Sequence, residues 1–383
     1  MVGALTAFAM SPTSCLKKEN KNMKAAVLHA PGSQLTIEEV GISKPGPREV
    51  LVRTVAVGVC HSDLHFVDGA YPFPMPVVLG HEASGIVEQV GSEVRTVKPG
   101  DHVVTCLSAY CGHCEHCVTG HLSLCVSPDT KRGVDEESRL TYVQKPMTQF
   151  INLSAYAEQM LVHENALVAI RRDMPLDRAA LLGCAVTTGT GAVFNTAKVR
   201  PGETVAVIGC GGIGLATING AALAGAGRVI AIDMLDSKLE LARQFGATDV
   251  VNAKDGSAVA QVLELTRGGV HHAFECIGLK QTAEQAFGML ARGGTATIIG
   301  MIKPGVKLEL DPLALLHERR IQGSFMGSNR FPVDLPRLTD FYMQGRLKLD
   351  EMISQRIKLE QINEAFDELR RGELARSVIL FDQ

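Results

Sequence analysis

The residues with the clearest chemistry are four cysteines that lie close together in the chain. Cys111, Cys114, Cys117 and Cys125 follow the pattern C-x-x-C-x-x-C-x-x-x-x-x-x-x-C. Four thiolates at such spacing satisfy the tetrahedral coordination that zinc adopts in structural sites, and they leave no position for a substrate. The spacing therefore predicts a closed, structural zinc site in a lobe formed by residues 109–126.

A second group of potential metal ligands combines sulfur with nitrogen. Cys60 and the pair His81-Glu82 lie upstream of the four cysteines, and Cys184 lies far downstream in LLGCAVTTGTG. Three protein ligands leave a fourth coordination position of zinc open for water or for an alcohol. The sequence therefore predicts two metal sites of different kinds, one structural and one catalytic.

The composition indicates an α/β protein that binds a small molecule. A chain of 383 residues exceeds the usual size of one core, so we expect two domains. The formal charge of −3 lacks the basic excess that nucleic-acid binding needs. Cysteines clustered at ligand spacing favour a reducing compartment, and neither a membrane span nor a secretory leader is recognisable. We therefore expect a soluble, cytoplasmic protein.

Different patterns follow one another along the chain. Residues 1–22 are expected to be a disordered extension. From Met23 to about residue 105, β-branched runs alternate with glycine-containing turns, which predicts a β region. After Pro201-Gly202, apolar strands alternate with helical segments, which predicts a parallel sheet covered by helices. We assign residues 23–185 and 326–383 to one domain and residues 186–325 to the other, so that the strand-like ARSVILF returns to the first domain.

The motif TVAVIGCGGIGLA predicts a dinucleotide site between a strand and a helix. Its glycines are Gly209, Gly211, Gly212 and Gly214. Glycines let the backbone approach a pyrophosphate, and the helix N-terminus donates amides to it. Asp233 ends the next strand-like run, RVIAID, and can bind the adenosine ribose, while Lys238 can add a contact to the same ribose. Because the carboxylate of Asp233 would repel a 2′-phosphate, NAD is favoured over NADP.

From Met23 to the C-terminus, these residues resemble the zinc-dependent medium-chain alcohol dehydrogenases of the two-zinc type, near their class I and class III members. The likeness rests on GVCHSDLH, LGHEASGIV, the four-cysteine run, LLGCAVTTGTG, VIGCGGIG and GELARSVILF, which stand in the family's order and at about its spacings. The resemblance implies a GroES-like β catalytic domain, a Rossmann domain with a doubly wound parallel sheet, and an active site in the cleft between them.

The resemblance also implies roles for the mixed ligand set. Cys60, His81 and Cys184 would hold the catalytic zinc, and Asp63 would accept the other ring proton of His81 and so fix its tautomer. Glu82 would approach the zinc as a transient ligand or act from the second shell, with a plain buried ion pair as the alternative. Zinc makes a bound alcohol easier to deprotonate, and the alkoxide then gives hydride to the nicotinamide.

Further residues match the family's proton relay and its cofactor contacts. Ser62 and His65 would pass the proton of the alcohol to solvent. His61 and Arg376 would contact the pyrophosphate. Thr188 would pack against the nicotinamide, with a helix-start hydroxyl as the competing explanation. Together these residues predict a complete hydride-transfer site.

The substrate channel is expected to be mostly apolar. Its predicted lining residues are Tyr71, Leu107, Phe150, Ile151, Met301 and Phe325. Such a lining favours substrates with an aliphatic or aromatic body and a single reacting hydroxyl. We therefore predict the reversible, NAD-linked oxidation of primary alcohols, aryl or medium-chain, to aldehydes.

Alternative functions stay open. The chain could be an S-(hydroxymethyl)glutathione (formaldehyde) dehydrogenase, although the arginine of that branch is replaced near Pro128-Asp129; Lys131 and Arg132 lie close enough to restore the charge. A polyol dehydrogenase suits the apolar pocket poorly. A zinc-stapled binding module without enzymatic activity would leave the open ligand set unexplained, and its cysteine loop has few basic residues.

The expected partners are a small-molecule alcohol or aldehyde and further copies of the chain, with neither nucleic acid nor membrane. The family implies a homodimer or homotetramer. The segment GMIKPGVKLEL, at the predicted edge of the Rossmann sheet, can pair with its twin across a two-fold axis.

Overall fold

The computed structural model describes residues 21–133, 135–372 and 375–382. The extension expected at residues 1–22 lies outside these ranges except for its last two residues, which belong to the first strand rather than to a tail. Within the three ranges, no helix is long and apolar enough to cross a membrane.

The first part of the chain is rich in strands because its β-branched runs are separated by tight turns. Its strands are β1 (Lys21–Leu28), β2 (Thr36–Ile42), β3 (Glu49–Gly58), β4 (Val77–Val78), β5 (Ala83–Val90), β6 (His102–Thr105), β7 (Leu140–Tyr142), β8 (Lys145–Met147), β9 (Gln159–His163) and β10 (Leu167–Ile170). Its α-helices are α1 (His61–Val67), α2 (Glu115–Val118), α3 (Leu176–Leu181) and α4 (Ala185–Gly191). A π-helical segment, Ala192–Ala197, continues α4 towards the next part.

The middle of the chain forms a parallel sheet with helical connections. Its strands are β11 (Thr204–Ile208), β12 (Arg228–Asp233), β13 (Asp249–Asn252), β14 (Val270–Glu275), β15 (Leu290–Ile298) and β16 (Arg320–Gly323). Its helices are α5 (Gly212–Leu223), α6 (Asp236–Gln244), α7 (Ala258–Thr266), α8 (Lys280–Gly288) and α9 (Pro312–Leu316). The strand order is β13-β12-β11-β14-β15-β16. All strands are parallel, but the chain adds β12 and β13 on one side of β11 and β14 to β16 on the other, and ligands of doubly wound sheets bind at this switch point.

The C-terminal part contains α10 (Phe331–Met343), β17 (Gln355–Ile357), α11 (Ile362–Arg371) and β18 (Ser377–Leu380). Single 3₁₀ turns stand at Leu122–Leu124, Pro128–Thr130, Phe150–Asn152, Glu164–Ala166, Met326–Ser328, Asp350–Met352 and Leu359–Gln361. β18 pairs antiparallel with β3, so the end of the chain lies in a sheet of the first part. The two β sheets have the orders β4-β1-β2-β7-β8 and β10-β6-β5-β3-β18-β17, and β9 also pairs with β3.

Buried apolar residues explain how these parts hold together. One cluster contains residues of both β sheets, such as Val27 and Val52. A second cluster joins the β region to the parallel sheet, because it includes Val104 of β6, Val193 and Ile218 of α5. The boundaries expected at residues 185/186 and 325/326 stay predictions; the parallel sheet itself runs from Thr204 to Gly323.

The segment GMIKPGVKLEL, residues 300–310, was expected to form an edge strand that pairs with the same segment of a second copy, but it does not form a strand. Residues 300–310 all lie in the described part of the chain, and they contain neither strand nor helix. β16 forms the edge of the parallel sheet instead. The expected pairing across a two-fold axis therefore stays a prediction, and it would need this segment to extend on association.

Candidate active site

The four clustered cysteines converge on one point. Their sulfur atoms lie within 4.8 Å of one another, and the Sγ–Sγ distance is 3.5 Å from Cys114 to Cys117 and 3.9 Å from Cys114 to Cys125. Four sulfurs placed tetrahedrally at about 2.3 Å from a zinc ion would be about 3.8 Å apart. The set therefore fits zinc closely.

Backbone amides support the thiolate of Cys111 in this lobe, whereas burial raises the pKa of Cys117 to about 12 as long as no metal ion is bound. The amide of Cys114 donates to Cys111 Sγ at 3.3 Å, and the amide of Cys111 donates to Cys125 Sγ at 3.3 Å. Backbone donation, first of all from His113, lowers the pKa of Cys111 to about 6. Since a metal ligand must be the thiolate, amides that favour the thiolate prepare the lobe for a metal ion.

The mixed ligand set also converges, although its members come from distant parts of the chain. Cys60 precedes α1, His81 precedes β5, and Cys184 precedes α4; their donor atoms lie within 4.8 Å of one another. His81 Nε2 is 3.2 Å from Cys184 Sγ, and all three residues are buried. Two thiols and one imidazole fit a zinc ion with three protein ligands and one open position.

Asp63 orients the imidazole of this set. Its Oδ1 lies 3.0 Å from His81 Nδ1 and accepts a second hydrogen bond from the amide of Gly80 at 3.1 Å. A carboxylate can only accept, so His81 donates from Nδ1 to Asp63, and Nε2 is the ring nitrogen that would bind a metal ion. Both Asp63 and His81 are fully buried, which excludes water as a competing partner.

Glu82, next to His81, forms a buried ion pair with Arg376. Glu82 Oε2 lies 3.3 Å from Arg376 Nη1, and Glu82 Oε1 accepts from the amide of Ala185 at 3.2 Å. Burial raises the pKa of Glu82 to about 7, although the charge of Arg376 opposes this shift. Arg376 also donates to the carbonyl of Val59 at 3.0 Å. Burial alone would lower the pKa of Arg376, but Glu82 and the neighbouring thiols hold it above its ordinary value.

The glycine motif forms a cradle beside this arginine. A Cβ on Gly212, the first residue of α5, would lie 2.4 Å from Arg376 Nη2, and one on Gly211 would meet no atom within 4 Å. A Cβ on Gly214 would lie 1.7 Å from the carbonyl oxygen of Gly209, which itself has a φ of 94°. The open space over Gly211, the helix N-terminus and the guanidinium fit a pyrophosphate.

Asp233 stands at the end of β12, next to this cradle. Its Oδ2 accepts from the amide of Cys210 at 2.8 Å, and its Oδ1 accepts from the amides of Met234 at 2.8 Å and Leu235 at 3.1 Å. These bonds hold the carboxylate in place where the ribose of a dinucleotide would lie. Lys238, which is half-buried, follows in the first turn of α6.

The candidate relay residues lie on α1. Ser62 and His65 are half-buried and stand three residues apart, so they share one face of the helix. Burial lowers the pKa of His65, which keeps its ring neutral and able to accept a proton. His61 is exposed at the start of the same helix, with its ring centroid 6.4 Å from that of His65.

Thr188 is buried within α4, and its hydroxyl lies 3.5 Å from the sulfur of Met326. The helix begins after Cys184 and has no side-chain cap, so the competing explanation of Thr188 as a helix-start hydroxyl does not hold. The contact of Thr188 with the nicotinamide stays a prediction.

The six predicted pocket residues do not share one environment. Leu107 and Ile151 line a cavity of about 810 Å³. Phe150 has no exposed surface and packs against Phe66 and Phe73, so it supports the pocket from behind. The other three are Tyr71, whose hydroxyl donates to the carbonyl of Ile302 at 2.9 Å, half-buried Met301, and Phe325, which is 56% exposed.

Basic residues at the rim of this cavity have different surroundings. Arg132 donates to Glu49, to Ser43 Oγ at 2.7 Å and to two carbonyl groups. Its guanidinium is therefore already paired with groups of the protein and is not a free cation for a ligand. Lys131 is exposed and also lines the cavity. Asp129 forms an exposed ion pair with His113 at 2.9 Å.

Some residues of the site were not found by sequence reasoning. Tyr156 donates to the second oxygen of Asp63, and Glu49 anchors the loop at the cavity through Arg132 and Arg139. Phe73 lines the cavity beside Leu107. The signal that could have found Tyr156 is weak: a tyrosine between Ala155 and Ala157 indicates burial, and a buried tyrosine hydroxyl usually has a hydrogen-bond partner.

Comparison with known proteins agrees with this arrangement. Residues 46–172 match the family described as alcohol dehydrogenase GroES-like domain, and residues 212–341 match the family described as zinc-binding dehydrogenase. An S-(hydroxymethyl)glutathione dehydrogenase of Photobacterium damsela subsp. piscicida is 42% identical over 364 residues, which cover 93% of this chain and 99% of that protein. Alcohol dehydrogenase 1 of Trifolium repens is 37% identical, with 94% and 97% of the two chains covered.

Solved structures give the same result. An alcohol dehydrogenase zinc-binding domain protein from Burkholderia ambifaria has a TM-score of 0.91 at 35% identity, covering 95% of this chain and 100% of its own. Benzyl alcohol dehydrogenase from Acinetobacter calcoaceticus has a TM-score of 0.89 at 34% identity, covering 94% and 100%.

These findings confirm the predicted family and fold class, a GroES-like β region joined to a Rossmann sheet. They also confirm the expected cofactors, zinc and a nicotinamide dinucleotide, for which the two cysteine-containing sets and the glycine cradle provide fitting partners. The chain belongs to the zinc-dependent medium-chain alcohol dehydrogenases and is an oxidoreductase of that family.

Proposed function

We propose that this chain catalyses the reversible, NAD-linked oxidation of primary alcohols with an aryl or medium-chain aliphatic body. The observation that carries the proposal is the buried set of Cys60, His81 and Cys184, with three ligands rather than four. Arg376 links this set to the glycine cradle through its ion pair with Glu82. The open coordination position and the nicotinamide would thus face one another across the cleft.

Zinc would supply Lewis acidity, and NAD would accept the hydride. The chain's own residues would hold and orient these groups. Asp63 keeps the proton of His81 on Nδ1, which leaves Nε2 free as a ligand. Ser62 and His65 are the proposed proton path, because they share one face of α1 and the lowered pKa of His65 keeps its ring neutral.

The structural role of the second cysteine set follows from its composition. Four ligands leave no coordination position for a substrate, so Cys111, Cys114, Cys117 and Cys125 would only fold the lobe around their zinc ion. Such a metal replaces an apolar core in a short, polar segment.

NAD rather than NADP is the proposed cofactor. The carboxylate of Asp233 is held by three backbone amides, so it cannot easily rotate away from a bound ribose. A 2′-phosphate at that place would meet a fixed negative charge.

We favour simple alcohols over a glutathione adduct on the apolar part of the cavity's lining; the lining as a whole is mixed and also contains polar and charged residues such as Glu136 and Gln149. Leu107, Ile151 and Phe73 offer apolar contacts to an alkyl or aryl body. Glutathione carries two carboxylates, and of the three basic residues that line the cavity, Arg132 and Arg139 are already bound to Glu49. That leaves Lys131 beside the acidic Asp129.

The glutathione-dependent reaction is the second candidate because the S-(hydroxymethyl)glutathione dehydrogenase of Photobacterium damsela subsp. piscicida, at 42% identity, is more similar to this chain than alcohol dehydrogenase 1 of Trifolium repens, at 37%. Its specific requirement would be Lys131, the exposed cation at the cavity. The variant Lys131→Gln should raise the KM for S-(hydroxymethyl)glutathione and leave the KM for benzyl alcohol unchanged if this candidate is correct.

The deciding experiment measures NADH formation by the zinc-loaded protein with benzyl alcohol, straight-chain alcohols, sorbitol and S-(hydroxymethyl)glutathione. Cys60→Ser serves as the inactive control. Turnover of benzyl and straight-chain alcohols is expected. Activity with S-(hydroxymethyl)glutathione alone would move the protein to the second candidate, and inactivity with every substrate would refute the enzymatic proposal.

We infer in addition a cytoplasmic homo-oligomer, either a dimer or a tetramer. All nine cysteines among the described residues have free thiols, and both ligand sets need them reduced. Sedimentation of the purified protein would measure the number of subunits.

A further inference from the structure

Among the residues that the structure describes, Tyr156 is the largest side chain without exposed surface. Its backbone is pinned to the segment that carries His81, because its amide donates to the carbonyl of Leu79 at 3.0 Å. The ring packs directly on Gly80, where an added Cβ would lie 2.8 Å from Tyr156 Cδ1. Backbone and ring therefore fix the position of the hydroxyl relative to the zinc-ligand segment.

The hydroxyl of Tyr156 donates to Asp63 Oδ2 at 2.9 Å. The other oxygen of the same carboxylate accepts from the amide of Gly80 and faces His81 Nδ1. Each carboxylate oxygen is thus held by a donor of its own, and the plane of the carboxylate cannot rotate without breaking a buried hydrogen bond. An unmade hydrogen bond at a buried, charged group is expensive, which makes this arrangement rigid.

We propose that Tyr156 is a positioning residue for the metal ligand His81 and acts through Asp63. The inference rests on the proposed function, in which Cys60, His81 and Cys184 hold the catalytic zinc. The tyrosine hydroxyl fixes the carboxylate, the carboxylate fixes the imidazole ring, and the ring directs its Nε2 lone pair at the metal position. The chain of hydrogen bonds runs entirely through groups without solvent contact.

The hydroxyl can be removed with little change in packing. Tyr156→Phe keeps the ring that fills the space beside Gly80 and Phe366. Tyr142→Phe is a matched control, since Tyr142 also donates its hydroxyl to a carboxylate, that of Glu38, in the five-stranded sheet. Outer-shell partners of a metal ligand typically contribute about 10–100-fold to metal affinity, and Tyr156 stands one hydrogen bond further out than Asp63.

The test measures release of zinc to a coloured chelator from the fully zinc-loaded protein. Cys60→Ser lacks the catalytic site and so identifies which release phase belongs to it. In Tyr156→Phe, this phase should be about tenfold faster than in the wild type, while the structural phase and both phases of Tyr142→Phe stay unchanged. Release within about twofold of the wild type would overturn the inference.

A double-variant comparison separates positioning from a general loss of stability. Asp63→Asn should also accelerate release, and Tyr156→Phe should add no further acceleration in the Asp63→Asn background, because the pathway is already broken. Equal acceleration in both backgrounds would show that Tyr156 acts by another route and would refute the inference. A wild-type protein that binds only one zinc ion would instead refute the proposed function.

Discussion

Replacing Arg376 tests whether one buried cation both pairs with Glu82, next to the metal ligand His81, and binds the pyrophosphate at the glycine motif. Arg376 Nη1 lies 3.3 Å from Glu82 Oε2 and donates to the carbonyl of Val59. Arg376 Nη2 lies so close to Gly212 that an added Cβ there would be only 2.4 Å away. The variant Arg376→Gln keeps a polar side chain of intermediate length but removes the charge. We therefore expect two separable effects, one on the stability of the protein and one on its affinity for NADH.

The two magnitudes follow from the burial of the pair. Removing one partner of a buried ion pair costs about 3–5 kcal/mol in the free energy of unfolding, because the other charge stays buried without compensation. A charge-assisted hydrogen bond to the pyrophosphate contributes about 1.5–3 kcal/mol, which corresponds to a Kd for NADH that is weaker by about tenfold to 150-fold. Arg376→Lys should show smaller losses of stability and of NADH affinity than Arg376→Gln, since lysine restores the charge but not the planar guanidinium that donates two hydrogen bonds at once.

Fluorescence titration gives the Kd for NADH, and urea unfolding gives the free energy of unfolding. Arg370→Gln is the control, because Arg370 belongs to the neighbouring α11 and its ion-pair partners among the described residues are the exposed carboxylates of Asp68 and Asp367. Exposed pairs contribute about 0–1 kcal/mol, so this variant should match the wild type in both assays. Gly212→Ala supplies the complement, since its Cβ would lie 2.4 Å from Arg376 Nη2 and displace the guanidinium. An unchanged Kd for NADH in Arg376→Gln would refute the pyrophosphate contact.

Other variants test the remaining parts of the site. The carboxylate of Asp233 would repel a 2′-phosphate by about 4 kcal/mol per unit charge at about 4 Å. Asp233→Gly should therefore raise the ratio of kcat/KM for NADP to kcat/KM for NAD by at least about tenfold. An unchanged ratio would contradict the ribose contact. Cys60→Ser should abolish turnover while NADH still binds, whereas Cys114→Ser should lower the melting temperature before it alters turnover; normal stability with one zinc ion missing would contradict this division. Glu49→Gln should destabilise the protein by about 3 kcal/mol at neutral pH. Burial alone would raise the pKa of Glu49, but hydrogen bonding from Arg132 holds this pKa below its ordinary value. The ion pair of Glu49 therefore stabilises the protein fully above the ordinary pKa of a glutamate, and this stabilisation is lost as the pH falls through the lowered pKa. The difference between Glu49→Gln and the wild type in urea unfolding should therefore shrink at about pH 3, and an equal difference at both pH values would count against the ion pair.

The parts of the site that sequence could predict are those encoded by local spacing. The four cysteines lie in one short run, and the glycines lie in one strand-helix turn, so each set needs only local folding to converge. The mixed ligand set was found although Cys184 is distant in the chain, because a family resemblance supplied the link. The parallel sheet was predictable because its strands and helices alternate in hydrophobic pattern.

The parts that sequence could not predict depend on contacts between distant segments. Nothing local indicates that the hydroxyl of Tyr156 reaches Asp63, and only the family resemblance placed Arg376 beside the pyrophosphate that the glycine motif is predicted to bind. The loop after Cys125 was equally unpredictable, because its order comes from the buried pairs of Arg132 and Arg139 with Glu49 on β3. Such pairs leave no period in the sequence, since each joins one residue to one other.

The structure shows the buried ion pair that was one of the three interpretations of Glu82, and its roles as a transient zinc ligand or in the second shell stay predictions. Its carboxylate is 3.3 Å from Arg376 and accepts the amide of Ala185, and a Cβ on Gly58 would lie 2.4 Å from its Oε2, so the backbone leaves room for the side chain. A buried guanidinium without a counter-charge would be unfavourable by several kcal/mol. We therefore favour a role for Glu82 in holding Arg376 over the glycine cradle, and contact between its carboxylate and zinc stays a separate prediction. On this reasoning Arg376→Gln should weaken NADH binding while zinc release stays at its wild-type rate, because the orientation of His81 depends on Asp63 rather than on Glu82. Faster zinc release from that variant would return Glu82 to the metal site.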